Sequence, residues 1–266
     1  MNIRKMAVGG AFYPSGAKEI EKMFSYYNEI LDKHLKDNEI LKIAPKAVIV
    51  PHAGYVYSAF TANIAFRVLK NSKPKRAVVI GPSHKVFVEG ASIALFDRYE
   101  TPFGNLAIDS DINKELQSRF NLEFNPQAHK EHSTEVQMPF LKYYLPQVQV
   151  VEIVYGRITP LELKNIIEFI LDDKDSAVVI SSDLSHYHDI EKANRLDSIC
   201  LEAVSKLDTS LLHQGCEACG ILGIEGIVLY AKDKNLKPIL LDYRTSADAS
   251  GDKSAVVGYM SAAFVK

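Results

Sequence analysis

Short, wholly apolar runs alternate along this chain with longer segments whose apolar residues recur every three or four positions. Ala47-Val48-Ile49-Val50, Ala77-Val78-Val79-Ile80 and Ala177-Val178-Val179-Ile180 are bounded by Pro, Gly or Ser. Runs of this kind, with no polar alternation, predict strands buried on both faces inside a parallel sheet. Ile20, Met23, Phe24, Tyr27, Ile30 and Leu31 have helical spacing and predict an amphipathic helix over about 17–35. Further helices are expected at 58–69, after a cap at Asp109 or Ser110, from near Ser133, and at 160–171, 190–207 and 221–232. Additional strands are expected at 91–96, 147–154, 238–243 and 255–264. The alternation predicts one α/β domain over 1–266, with a mixed, mostly parallel sheet and helices on both faces.

Polar chemistry collects where the apolar runs stop. The first is followed by Pro51-His52-Ala53-Gly54-Tyr55, the second by Gly81-Pro82-Ser83-His84, and the third by Ser181-Ser182-Asp183-Leu184-Ser185-His186. Crevices in open α/β sheets lie outside the carboxyl ends of the strands, so these groups are candidates for one site. Neutral imidazole is a ligand for Zn, Fe, Cu or Ni, and His52 and His84 on neighbouring strands would lie close enough to share an ion. Asp183 and His186, three residues apart, would form a carboxylate–histidine pair with His186 as general acid or base. The alternative for this segment is a helix start with solvated histidines.

Two other motifs are candidates. Glu131-His132-Ser133-Thr134-Glu135 reads as a helix start with Ser133 as N-cap, or as His132 meeting a substrate oxygen while Glu135 buttresses it. In Cys216-Glu217-Ala218-Cys219-Gly220, the thiol of Cys219 precedes an apolar helix, a placement expected to lower its pKa. One Cys-x-x-Cys pair is too few for a Cys₄ zinc site; a thioredoxin-like dithiol is an alternative, against which the late position and missing fold context count. Neither Ser83 nor Ser185 sits in the Gly-x-Ser-x-Gly pattern of a nucleophile elbow. His34, His129 and His213 lack supporting context and are expected at the surface.

Composition narrows the function classes. Of 266 residues, 47% are hydrophobic and 24% charged, and the formal net charge is −2. There is no basic footprint for nucleic acid, no broad attraction to anionic membranes and no apolar stretch of spanning length. Three cysteines, an odd number, argue against a disulfide framework and fit a reducing cytoplasm. Gly9-Gly10 and Pro14 interrupt the first residues before a signal-peptide core can form.

Together with Ala7-Val8-Gly9-Gly10-Ala11-Phe12-Tyr13-Pro14, these motifs run in order along nearly the whole chain, and the sequence resembles the Memo family. Prokaryotic members of that family are called AmmeMemoRadiSam system protein B. The resemblance implies a fold like that of class III extradiol dioxygenases, which are non-haem iron enzymes. It places His52, His84 and Cys219 at metal positions and Asp183 and His186 in the pocket beside them, with His132 in a further family motif. It also implies association with radical-SAM and AMMECR1-domain proteins, and for some members a role in protein interaction rather than catalysis. Ring-cleaving sites use two histidines and a carboxylate. A thiolate in place of the carboxylate shifts the expected metal towards Zn, Cu(I) or a differently tuned Fe, and Cys216 becomes a candidate redox partner.

Overall fold

A computed structural model describes residues 2–35 and 39–266. In chain order the elements are β1 (Ile3–Arg4), α1 (Ala17–His34), β2 (Ala47–Val50), α2 (Tyr55–Leu69), β3 (Arg76–Pro82), β4 (Ala91–Ile93), β5 (Arg98–Tyr99) and β6 (Leu106–Ile108). They continue with α3 (Ser110–Phe120), α4 (His132–Glu135), α5 (Met138–Tyr144), β7 (Gln149–Tyr155), α6 (Pro160–Leu171), β8 (Ser176–Ser181) and β9 (His186–His188). The last are α7 (Ile190–Lys206), α8 (Thr209–Leu212), α9 (Ile221–Asp233), β10 (Lys237–Thr245), α10 (Ala247–Ser250) and β11 (Val256–Val265).

The sheet runs β1-β5-β6-β7-β3-β8-β2-β11-β10, with β4 on β7 and β9 on β11. Its centre, β6-β7-β3-β8-β2, is parallel, and β11 closes it antiparallel against β2. Alternate residues of the apolar runs enter different cores. Ile49, Ile80, Ile153 and Ile180 pack with α6 and α9, whereas Val48, Val50, Val79 and Val179 pack with α1, α2 and α5. Both faces are therefore dry, which is why these strands carry no polar alternation.

Several expectations are corrected. The segment from 132 is two short helices rather than one, because Pro139 at the start of α5 begins a new helix instead of continuing α4. Past β8 the chain stays extended into β9, where Val257 and Val256 of β11 pair with His186 and His188, so no helix starts at Asp183 or Ser185. The close approach that allows this pairing needs Gly258, where a Cβ would fall 1.9 Å from Asp197 Oδ2. Leu184 N–H donates to the Gly258 carbonyl, and Gly258 N–H donates to that of Ser185.

Cysteine arithmetic also misleads here. Cys200 of α7 and Cys216 of the segment before α9 are joined in a disulfide, their Cα atoms 5.0 Å apart, and Cys219 is the free cysteine. Cys216 is thus bonded to α7 and is not a partner for Cys219. An odd count excludes only complete pairing; which two thiols meet depends on the packing of α7. The bridge closes 16 residues of sequence, so Cys200→Ser combined with Cys216→Ser is expected to cost about 3 kcal/mol through denatured-chain entropy. Urea unfolding of the double variant checks this, and the wild type in phosphine reductant should converge on the same midpoint.

Candidate metal centre

Three adjacent strand ends build the site, but in a different order from that expected. β8 lies between β2 and β3, so His52 and His84 come from strands that flank it and not from neighbours. This places Ser181, at the end of β8, directly against His52. The Ser181 hydroxyl donates to the Ser133 carbonyl at 2.5 Å, so its oxygen can only accept from His52 Nδ1, 3.0 Å away. That network assigns the Nδ1–H tautomer to His52 and leaves its Nε2 lone pair facing the crevice. The ring is buried among imidazoles. Burial, with His84 and His132 nearby, pushes its pKa well below the ordinary histidine value.

Glu131 organises the other two rings. It, and not Ser133, is the N-cap of α4, accepting from the backbone N–H groups of His132 and Ser133. Ser133 Oγ instead donates to the Pro82 carbonyl at the end of β3. The same Glu131 carboxylate accepts from His84 N–H at 2.6 Å and from His84 Nδ1 at 3.2 Å, and it lies 2.7 Å from His132 Nδ1. Burial alone would raise its pKa, yet the hydrogen bonds from His132 and His84 hold it well below the usual carboxylate range. As an ionised acceptor it fixes both rings with Nδ1–H towards itself.

One potential ligand atom from each of His52, His84 and His132 therefore lies within 4.8 Å of the other two. The ring centroids are 5.2 Å (His52–His84), 5.4 Å (His52–His132) and 4.6 Å (His84–His132) apart. Imidazoles whose far nitrogens are anchored, by a carboxylate in two cases and a hydroxyl in the third, have the outer arrangement that metal-binding histidines require. The donor set fits zinc, iron or copper.

The remaining candidates surround this cluster. Cys219 Sγ is 3.2 Å from His52 Nε2, held there as its own N–H donates to the Asp183 carbonyl and Gly220 N–H to Ser182 Oγ. A Cβ on Gly220 would fall 2.6 Å from that of Ser182, so only glycine lets the start of α9 approach this closely. The thiol pKa is pushed up to about 12 by burial and by the charge of Asp183, which outweigh the helix terminus that was expected to lower it. The Asp183 carboxylate accepts from His52 N–H at 2.6 Å, and burial raises its pKa despite that bond. No hydrogen bond joins it to the His186 ring among the described residues, because the extended chain carries His186 into β9. Both groups instead line, with His132, a cavity of about 480 Å³ above the cluster. A larger cavity, about 790 Å³, lies at the opposite ends of the strands between Lys73 and Gln149 and shares none of these groups.

Glu135, at the end of α4, lies in the polar layer against the N-terminal segment. It pairs with Arg4, accepts from Ala7 and Val8 N–H, and receives the Tyr13 hydroxyl at 2.7 Å. It thereby clamps the N-terminal segment that lays the Phe12 ring 4.7 Å from that of His132. His129, expected at the surface, is buried between Glu152 and Ser92. His34 and His213 are exposed. Glu131 and Ser181 are the residues that sequence reasoning missed. The only local signal for Glu131 was its place beside His132, and Ser181 gave none beyond ending a strand.

The fold and site define an α/β protein with three inward-facing imidazoles at the carboxyl ends of a mostly parallel sheet. The profile described as Memo-like protein matches residues 4–263 of this chain, which belongs to the Memo family. A MEMO1 family protein of Aquifex aeolicus is 33% identical over the full length of both chains. Another from Desulfurococcus amylolyticus is 34% identical over 99% of each, and one from Methanobrevibacter smithii is 33% identical over 98% of this chain and 99% of its own.

Glu131→Gln should weaken zinc binding about 10- to 100-fold, because the amide is uncharged and its NH2, in place of Oε2, would face the His84 backbone N–H that the carboxylate now accepts. Competition with a chromophoric chelator measures this. The depressed carboxyl also stabilises the fold above the unfolded glutamate pKa of about 4.3, and that contribution is lost as pH falls towards the folded value. The urea-midpoint gap between wild type and Glu131→Gln should therefore be widest near neutrality and shrink below about pH 4.

Proposed function

We propose that this chain is a metal-dependent redox protein whose ion is held by His52, His84 and His132, with Cys219 at the edge of the same site as a soft donor. The observation that carries this reading is the convergence of three imidazoles whose other nitrogens are all tied down. Bound there, iron, copper or zinc would supply a Lewis acid, and the first two a one-electron couple. Cys219 would give up the proton it now directs at His52 Nε2. Asp183 and His186, on the cavity wall, would hold or move a proton of whatever occupies the cavity, and burial raises the Asp183 carboxyl above its ordinary value. The dioxygenase-like fold belongs to this reading, but extradiol ring cleavage does not. Glu131 is committed to the Nδ1 sides of two rings and is not available as the carboxylate ligand that chemistry uses.

Association with radical-SAM and AMMECR1-domain proteins and a cytoplasmic location complete the proposal. The Cys200–Cys216 bridge is compatible with a reducing compartment because Cys200 is fully buried and Cys216 is 8% exposed, which limits attack by thiols. No helix among the described residues is long and apolar enough to cross a membrane.

Metal analysis of protein purified without oxygen or chelator tests the central claim. About one ion per chain is expected, lost in His52→Ala, His84→Ala and His132→Ala, because each removes one of few ligands. Cys219→Ala should keep zinc but lose preference for Cu(I), since the thiolate is the soft donor. Wild-type protein that refuses Fe(II), Cu(I) and Zn(II) on titration overturns the reading.

A further inference from the structure

The cavity above the three histidines combines aromatic rings and carboxyl groups with the imidazoles of His132 and His186. Phe12, Tyr57, Tyr187 and Tyr259 supply aromatic surface, and Asp183 and Asp252 supply carboxylates; no Lys or Arg lines it among the described residues. Asp252 is exposed at the edge of the cavity; its Oδ1 accepts from Ser254 N–H and Oγ, which leaves Oδ2 to solvent or to a bound cation. Aromatic faces carry negative quadrupole potential, so rings and carboxylates act in the same direction.

Tyr187 adds a second, independent observation. Its φ is +61°, a left-handed conformation that a bulky residue adopts at a cost, and its side chain is 78% exposed. Burial does not explain a tyrosine at this position. Its neighbours His186 and His188 pair with β11, and Tyr187 lines the cavity. Tyr57, 44% exposed, also borders the cavity.

We propose that this cavity binds an organic cation, a protonated amine attached to a flat apolar body, with Tyr187 and Tyr57 against the body and Asp252 as counter-charge. The proposal rests on the reading of the histidine cluster as the reactive end of the same cavity, and it assigns the substrate class for that site. Tyr187 is a specificity-determining residue retained at the expense of backbone strain.

Phenethylamine, 2-phenylethanol and phenylacetate share ring and length and differ in charge, and their binding to the as-purified full chain can be compared by calorimetry. Phenethylamine should bind at least about tenfold tighter than phenylacetate, the scale expected of a cation–aromatic contact with a carboxylate nearby. Tyr187→Gly should weaken the amine several-fold while raising or preserving the melting temperature, because glycine accepts the left-handed conformation without penalty. Asp252→Asn should weaken the amine and leave 2-phenylethanol unchanged. Phenylacetate binding as tightly as the amine, no binding of any probe at millimolar concentration, or an amine affinity unmoved by both variants each overturns the proposal. Metal content measured on the same samples separates this from the fate of the metal centre. Metal-free protein that still prefers the amine refutes the centre alone, and metal-loaded protein without the preference refutes the substrate class alone.

Discussion

The buried carboxylate of Glu131 joins more of the site than any other group. One side chain caps α4, receives the backbone N–H of His84 and turns both the His84 and His132 rings the same way. An ionised carboxylate out of water is costly unless all its acceptor positions are used. Here the donors are the groups whose orientation matters, so the need to satisfy the charge and the need to aim the imidazoles are met together. The rings are set before any ligand arrives, which reduces the ordering cost of binding.

Behind this carboxylate a second polar layer fixes α4 to the sheet and to the N-terminal segment. Thr134 hydrogen-bonds Glu152 of β7, Ser133 reaches the end of β3, and Glu135 holds Arg4 and the backbone of residues 7 and 8. Burial would raise the Glu152 carboxyl, but His129 and Arg4 hold it below its ordinary value. A network of this type rigidifies only when nearly every member is satisfied. It gives a four-residue helix, too short to be stable alone, a fixed position over the strand ends.

The opposite wall is built differently, from backbone contacts that require small residues. Gly258 lets β11 pass Asp197, and Gly220 lets α9 start against Ser182. These approaches place Asp183, His186 and Cys219 around the cluster, with the buried Asp197 carboxylate accepting from the Ser185 N–H beside His186. The disulfide from α7 to Cys216 tethers the chain three residues before Cys219. Rigid imidazoles thus face a wall set by packing, and the cavity opens between them.

The central strands, the two-faced burial of the sheet and the placement of His52, His84 and Asp183 at strand ends were legible in the sequence, because apolar periodicity and β-branching act locally; the short peripheral strands β1, β5 and β9 carry no such pattern. The family was legible too, through motifs in a fixed order. Strand order was not legible, since nothing local states that β8 passes between β2 and β3, and the role of Ser181 follows from that order. The raised pKa of the Cys219 thiol, the burial of His129 and the pairing of Cys200 with Cys216 also depend on groups distant in sequence. Charge, hydrogen bonding and burial are sums over neighbours in space, and only the tertiary structure selects those neighbours. The chain alone determined which residues carry chemistry, and the fold decided which way each of them faces.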